Sequence, residues 1–266
     1  MSKKLIELGG FDTIPAISTG NLREDNIANA GLYRQLLKDG EKTGLYPVFV
    51  KKDYEFDYFW LRLSDRGVKD SETYRKSAAW LLEKVNRRCF EVWQGRMLYD
   101  YKLDCCENTK DYEEYMEDLI LPVSDEYNRL FDNPREISDF GLFDANEMSP
   151  AYAQKFIHFE DYIIVLLPIT NPWEALAYFP MGSFNSCPSP ECQIALAKEL
   201  YKKYRARIMF IGMDRLTYYL EKPLLKRDEL EAAAKTLIIA YDDSYPDYEL
   251  TVKEIIGKHT WQLWWD

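Results

Sequence analysis

The stretch from Phe184 to Asp243 constrains the fold more than any other part of this chain, because helix-type and strand-type patterns alternate along it. A continuous apolar run at 162–167, of the kind found in strands that are covered on both faces, precedes it. The patterns that follow predict a helix at 189–204, strands at 207–212 and 216–221 joined by a short turn, and a helix at 228–240. This order predicts an α/β or α+β fold with a mixed β-sheet and helices packed on it.

The N-terminal half is predicted to be rich in helix. Between Ser71 and Trp93, apolar residues recur at steps of three and four, which predicts one amphipathic helix. The interval Asp132–Pro150 is rich in turn-forming residues and predicts a boundary or a long connection. We therefore expect a helix-rich N-terminal region over residues 1–150 and an α/β C-terminal domain over residues 151–266.

The net charge of the chain limits the kinds of partner that we expect. The chain carries 45 acidic and 34 basic residues, a net charge of −11. Such a chain repels the phosphate backbone, so nucleic acid is excluded as the expected partner and a basic surface is favoured. The 20 tyrosines and 7 tryptophans are residue types enriched at protein interfaces, although an aromatic-rich core also explains them.

The pattern of cysteines and apolar segments predicts a cytoplasmic protein with reduced thiols and no contact with a membrane. Five cysteines form an odd set in a long chain. Only Leu5 and Ile6 follow Lys3-Lys4 before Glu7 interrupts, which is too short for a secretory signal. The longest apolar run, Tyr162–Ile169, is far shorter than a bilayer span.

A polar turn leads into the helix that begins near Ser189. It reads Asn-Ser-Cys-Pro-Ser-Pro over residues 185–190, and the free N–H groups of a helix N-terminus favour an anion or a thiolate. In one interpretation Cys187 is a nucleophile of low pKa, and Asn185 and Ser189 contact a ligand. In the other, Cys187 is a small buried residue, Asn185 forms the turn and Ser189 caps the helix. The second is favoured because no base lies near Cys187 in the sequence.

The same region carries a family resemblance. The pattern begins with an aromatic-Asn-x-Cys-Pro turn and a helix that ends in an aromatic residue before Gly-Ala. Two strands flanking an Asp, an Arg-Pro or similar step, and an alanine-rich helix with a Tyr-x-x-Asp-like end follow. The matching residues are Phe184, Asn185, Cys187, Pro188, Tyr204, Ala206, Asp214, Pro223 and Asp243. The chain thus resembles the bacterial domain-of-unknown-function family 4253, which implies a soluble bacterial protein without an assigned activity. Arg205 departs from this pattern where Gly is usual, and Gln193 stands where a His is common.

Neither a metal nor a cofactor is predicted. Cys105-Cys106 and the pair Cys187 and Cys192 lack the two-residue gap of common zinc sites. No phosphate-binding loop, dinucleotide fingerprint or Gly-x-Ser-x-Gly motif occurs in the sequence. Turn chemistry alone explains Asp214, and a solvated acidic loop explains Asp243 and its neighbours.

The last residues are strongly apolar and are predicted to dock on this chain or on a partner. Residues 261–265 read Trp-Gln-Leu-Trp-Trp, so Trp261, Trp264 and Trp265 are candidate binding residues. A second candidate surface is the acidic, tyrosine-rich segment 111–115. The leading hypothesis is a non-catalytic module that binds another protein, with an immunity-like or inhibitory role as one concrete form.

The alternative hypothesis is an enzyme or a small-ligand-binding protein. Its site would lie at the turn Asn185–Ser189, with Asp214 and Asp243 nearby. The sequence does not predict the oligomeric state under either hypothesis.

Overall fold

The described part of the chain contains strands from both of its halves. The computed structural model describes residues 4–8, 11–18, 26–51, 54–105, 125–132, 134, 162–184, 187–240 and 248–265. The strands are β1 Lys4–Leu8, β2 Phe11–Ser18, β3 Tyr46–Lys51, β4 Tyr162–Leu167, β5 Arg207–Ile211, β6 Arg215–Tyr219 and β7 Thr260–Trp264.

These strands form one seven-stranded sheet in the order β1-β2-β4-β3-β5-β6-β7. β3 and β5 are parallel, and every other neighbouring pair is antiparallel. Strands that precede residue 150 and strands that follow it therefore belong to the same sheet, so the predicted boundary does not separate two sheets. The predicted fold class, a mixed sheet with helices packed on it, is confirmed.

Helices cover both faces of the sheet. They are α1 Asn26–Thr43, α2 Tyr54–Asp65, α3 Ser71–Asn86, α4 Phe90–Cys105, α5 Asp125–Arg129, a 3-10 turn Pro172–Glu174, α6 Ala175–Tyr178, α7 Pro190–Tyr204, α8 Arg227–Ile239 and α9 Tyr248–Ile255. The predicted helices at 189–204 and 228–240 correspond to α7 and α8. Among the described helices, none is long and apolar enough to cross a membrane.

The predicted single helix at 71–93 is wrong, because two helices occupy this segment. α3 ends at Asn86 and α4 begins at Phe90. The polar residues between them interrupt the apolar stripe, and the N–H of Arg87 closes the last turn of α3 by donating to the carbonyl of Glu83 at 3.1 Å. The Trp93 side chain of α4 contacts the end of α3, where its indole N–H donates to the carbonyl of Val85 at 3.3 Å.

The sheet separates the two main parts of the core, because successive residues of a strand point to opposite faces of the sheet. A third, small cluster contains Leu63, Val68 and Tyr74. Val48 and Val50 of β3 lie in the larger part, together with side chains from α3, α4, α7 and α8. Phe49 lies in the smaller part, where its ring is 5.6 Å from that of Tyr33 on α1. The central strands are thus covered on both sides, as the apolar run at 162–167 predicts.

Buried tyrosines make the stability of this fold sensitive to alkaline pH. Burial raises the pKa of Tyr33, Tyr46, Tyr74 and Tyr218 above the ordinary value of 10.0. The stability that the neutral phenols contribute is therefore complete below pH 10 and is lost as the pH rises, since the unfolded chain ionises first. We expect urea denaturation to give a free energy of unfolding at pH 11 that is lower than at pH 8 by about 1.4 kcal/mol for each of these tyrosines.

The substitution Tyr218→Phe provides the control for this pH dependence. It removes one ionisable phenol, so the variant should lose less stability between the two pH values than the wild type does. A free energy of unfolding that stays unchanged between pH 8 and pH 11 would contradict the expectation.

Candidate functional site

The turn that connects α6 to α7 carries the predicted site residue Cys187. Gly182 and Ser183 have φ values of 99° and 60°. The N–H of Ser183 donates to the carbonyls of Cys187 at 3.0 Å and of Pro188 at 3.3 Å. The N–H of Cys187 in turn donates to the carbonyl of Phe184 at 2.9 Å. These bonds fix the backbone on either side of residues 185 and 186 and set the start of α7.

The Cys187 side chain is buried, with 4% of its surface exposed. The Gln193 side-chain N–H donates to its sulfur at 3.5 Å. Burial raises the pKa of the Cys187 thiol far above its ordinary value of 9.0, and the lowering effects of the Gln193 hydrogen bond and the Arg62 charge do not offset this. The thiol is therefore protonated at neutral pH, which is the state of a buried core cysteine and not of an activated nucleophile.

Ser189 caps α7, as the sequence predicts. Its hydroxyl oxygen accepts a hydrogen bond from the N–H of Cys192 at 3.5 Å, and Pro190 is the first residue of the helix. Proline is favoured there because its missing N–H would have no partner within the helix. The serine hydroxyl thus already has a structural partner.

Asp214 lies in the turn between β5 and β6 and holds the last strand. One of its carboxylate oxygens accepts a hydrogen bond from the indole N–H of Trp264 at 3.1 Å, and its carbonyl accepts one from the N–H of Trp265 at 2.9 Å. Its charge also contributes to the raised pKa of Cys187. The structure therefore brings Asp214 into electrostatic range of Cys187, which the alternative hypothesis requires, but the carboxylate takes part in a structural contact.

The tryptophan-rich end of the chain is strand β7, which pairs with β6. Trp261 and Trp265 are buried, and their indole N–H groups donate to the carbonyls of Ile255 and Ala240, each at 3.3 Å. Trp264 is half-buried beside Asp214. The sequence predicted that these tryptophans pack either on this chain or on a partner. In the structure they pack on this chain.

Other predicted positions lie outside the described residues. They are Asn185, Asp243 and the segment 111–115, and they stay predictions. Among the residues that the structure does describe, no group of three or more His, Cys, Asp or Glu side chains could hold a metal ion.

Three charged residues at the turn were not predicted from the sequence. Arg62 of α2 donates to the carbonyl of Ser183 at 3.4 Å. Glu191 at the start of α7 is only 9% exposed and pairs with Lys84 of α3 at 2.5 Å. Burial raises the pKa of Glu191, but the hydrogen bonds from Lys84 and from its own backbone N–H outweigh burial and leave the pKa below its ordinary value of 4.5. No local pattern reveals these contacts, because Lys84 and Glu191 are 107 residues apart.

A separate surface feature lies on the outer side of α3. Trp80 is 53% exposed, and the ammonium of Lys84 lies 5.0 Å from the centre of its ring. The residues of α3 that face the core are Tyr74, Ala78, Leu81 and Val85. Trp80 lies off this stripe, so helical spacing alone could have identified it as an exposed tryptophan.

Comparison with known proteins gives a match for the C-terminal part of the chain. Neither the curated proteins nor the solved structures give a match to this chain. Residues 163–266, which are less than half of the chain, match a family model described as Domain of unknown function (DUF4253). They include α7, β5, β6 and α8, so the match covers the turn, the helix and the strands that carry the sequence resemblance. The resemblance to family DUF4253 is therefore confirmed over residues 163–266.

Proposed function

We propose that this chain is a non-catalytic module that binds another protein through the exposed face of α3. This α3 face consists of Arg75, Lys76, Trp80 and Lys84 of the helix and of Arg87 directly after it. Two exposed acids lie among them, since Lys76 pairs with Glu72 and Arg87 with Glu83, each at 2.5 Å. The exposed indole of Trp80 carries the proposal, because Trp and Arg are the residue types that most often dominate the binding energy of protein interfaces. An indole that is 53% exposed leaves apolar surface in water that a partner would cover.

The charge of α3 indicates the chemistry of the partner. Residues 71–88 contain five basic and two acidic residues, a net charge of three positive, whereas the whole chain carries −11. Opposite charges across an interface increase the association rate and fix the orientation of the partners. A partner with an acidic surface therefore fits the α3 face, although the charge of the whole chain favours a basic one.

An immunity-like or inhibitory role is a concrete form of this proposal. This role requires a bacterial source and a cytoplasmic location. The family resemblance supports the bacterial source. The odd number of cysteines, without a disulfide-type pattern, supports the cytoplasmic location. The structural uses of Cys187, Ser189 and Asp214 support a role without catalysis, since each of these polar groups is engaged within the fold.

The test is affinity capture from cells that express the chain, followed by calorimetry with the purified partner. We expect Trp80→Ala to weaken the affinity by about thirtyfold, the effect of losing one strong interface anchor. The free energy of unfolding should change by less than about 0.5 kcal/mol, because Trp80 is a surface residue. Charge reversal at Arg87 should lower the association rate and weaken its salt dependence.

Leu250→Ala is the matched control, since Leu250 is an exposed apolar residue on α9 with 42% of its surface in water. It should leave the affinity for the captured protein unchanged. If Trp80→Ala and Leu250→Ala bound the partner with equal affinity, the α3 face would be excluded as the contact. A chain that captures no stoichiometric partner would refute the proposal as a whole.

The second candidate is a small-ligand site at the turn that carries Cys187. One observation favours it: the side-chain carbonyl of Gln193 is fully buried and has no hydrogen-bond partner among the described residues. A buried acceptor without a partner is unfavourable, and a ligand that donates a hydrogen bond would satisfy it. A compound that raises the Tm of the wild type but not that of Gln193→Leu would identify this site.

A further inference from the structure

A cleft of about 250 Å³ lies where the end of α3, the start of α4 and the outer side of α7 meet. Three cationic side chains line it: Arg88 from the connection after α3, and Lys198 and Lys202 from α7. The two lysines are four residues apart, so they lie on one side of the helix. Two carboxylates, Glu91 and Glu199, also line the cleft.

Both carboxylates are engaged with other groups. Glu199 pairs with Lys203 at 3.0 Å. Glu91 accepts hydrogen bonds from its own backbone N–H and from the Cys89 side chain, and these bonds, followed by the charges of Lys203 and Lys202, lower its pKa. The N-terminus of α4 is thus already occupied by a side chain of the same helix.

Two of the three cations, Lys198 and Arg88, have uncharged direct partners. Lys198 donates to the side-chain carbonyl of Asn86, and the Arg88 guanidinium lies 5.3 Å from the centre of the Trp93 ring. In the described part of the chain, none of the three forms a direct ion pair. Burial, and then the charge of Lys202, lower the pKa of Lys198, and the opposing effect of the Glu199 charge does not offset them. Positive charge in the cleft is therefore incompletely compensated, and an anion would relieve the repulsion.

We propose that this cleft binds a phosphate group, either free or carried by a small molecule, between Arg88, Lys198 and Lys202. A phosphate offers several strong acceptor oxygens, and its double charge matches several cations better than a single carboxylate does. The guanidinium supplies a planar pair of donors and the ammonium groups supply compact charges. A volume of about 250 Å³ is sufficient for a phosphate with a small organic part.

The test is isothermal calorimetry of the full chain with sodium phosphate and, separately, with glycerol 3-phosphate, each against sodium chloride at equal ionic strength. We expect binding that Lys198→Gln and Lys202→Gln each weaken about tenfold, as is typical for loss of a charge-assisted hydrogen bond. Lys222→Gln is the matched control, because Lys222 is an exposed lysine that does not line the cleft. Its affinity should equal that of the wild type.

The outcomes distinguish free phosphate from a phosphorylated small molecule, and they show whether the cleft binds either one. Binding of inorganic phosphate indicates the free ion, and binding of glycerol 3-phosphate alone indicates a phosphorylated small molecule. Either result supports the site if the two cleft variants weaken it. Binding that all variants share, or no binding of either compound, overturns it. Thermal melting without phosphate checks folding, and Lys202→Gln keeps the test valid if Lys198→Gln is unstable, since Lys202 is exposed.

Discussion

Replacing Gly182 with alanine is expected to lower the free energy of unfolding by about 3 kcal/mol. Gly182 has a φ of 99°, a backbone conformation that L side chains rarely adopt. A Cβ atom at this position would also lie 1.9 Å from the carbonyl oxygen of Pro188. Because that oxygen is a backbone atom in the turn that starts α7, the clash can be relieved only by displacing the turn and Cys187 with it.

Gly44→Ala separates the effect of the backbone conformation from that of the contact. Gly44 has a φ of 68°, but a Cβ there would meet no described atom within 4 Å. We expect this variant to lose only about 1 kcal/mol, from the left-handed conformation alone. Urea denaturation of the two variants measures the difference. Equal losses would mean that the turn at Gly182 is not as tightly built as the structure shows.

Trp261→Ala is expected to lower the free energy of unfolding by about 3–5 kcal/mol. The indole is 1% exposed, its N–H donates to the carbonyl of Ile255, and its ring centre lies 5.9 Å from that of Tyr204. Truncation therefore leaves a large cavity between β7 and α7 and a carbonyl without its donor. The loss of free energy of unfolding therefore distinguishes a chain end that is packed in the core from one that is free to bind a partner.

Trp80→Ala is the control for this substitution, since it removes the same side chain from an exposed position. Chemical denaturation should show a loss within about 0.5 kcal/mol. If Trp261→Ala were equally mild, β7 would not be part of the core. If the expectation holds, removal of the last residues would test folding and not partner binding, because it deletes a strand of the sheet.

The family pattern and the structure together account for the unusual residue at the end of α7. Arg205 stands where Gly is usual, and it adopts a φ of 58°, which is the left-handed conformation that ends many helices. The preference for glycine at this position therefore follows from backbone geometry. The Arg205 guanidinium lies 5.4 Å from the centre of the Tyr201 ring, a contact that offsets part of the strain.

The sequence alone determined those features that depend on neighbouring residues. Ser189 and Pro190 predict the start of α7 because capping acts within one helical turn. The apolar run at 162–167 predicts a strand covered on both faces, and β4 occupies those residues between β2 and β3. The family resemblance also rests on closely spaced residues, and the match over residues 163–266 agrees with it.

Only the tertiary structure decided which side chains are buried, paired or left exposed. The pairing of Lys84 with Glu191 joins residues 107 positions apart, and the burial of Trp261 requires a strand partner and a covering helix. The environment of Cys187 likewise depends on Arg62 and Asp214 from distant elements. Local patterns report the free energy of local conformations, whereas burial and ion pairing depend on contacts that form only when distant segments pack together.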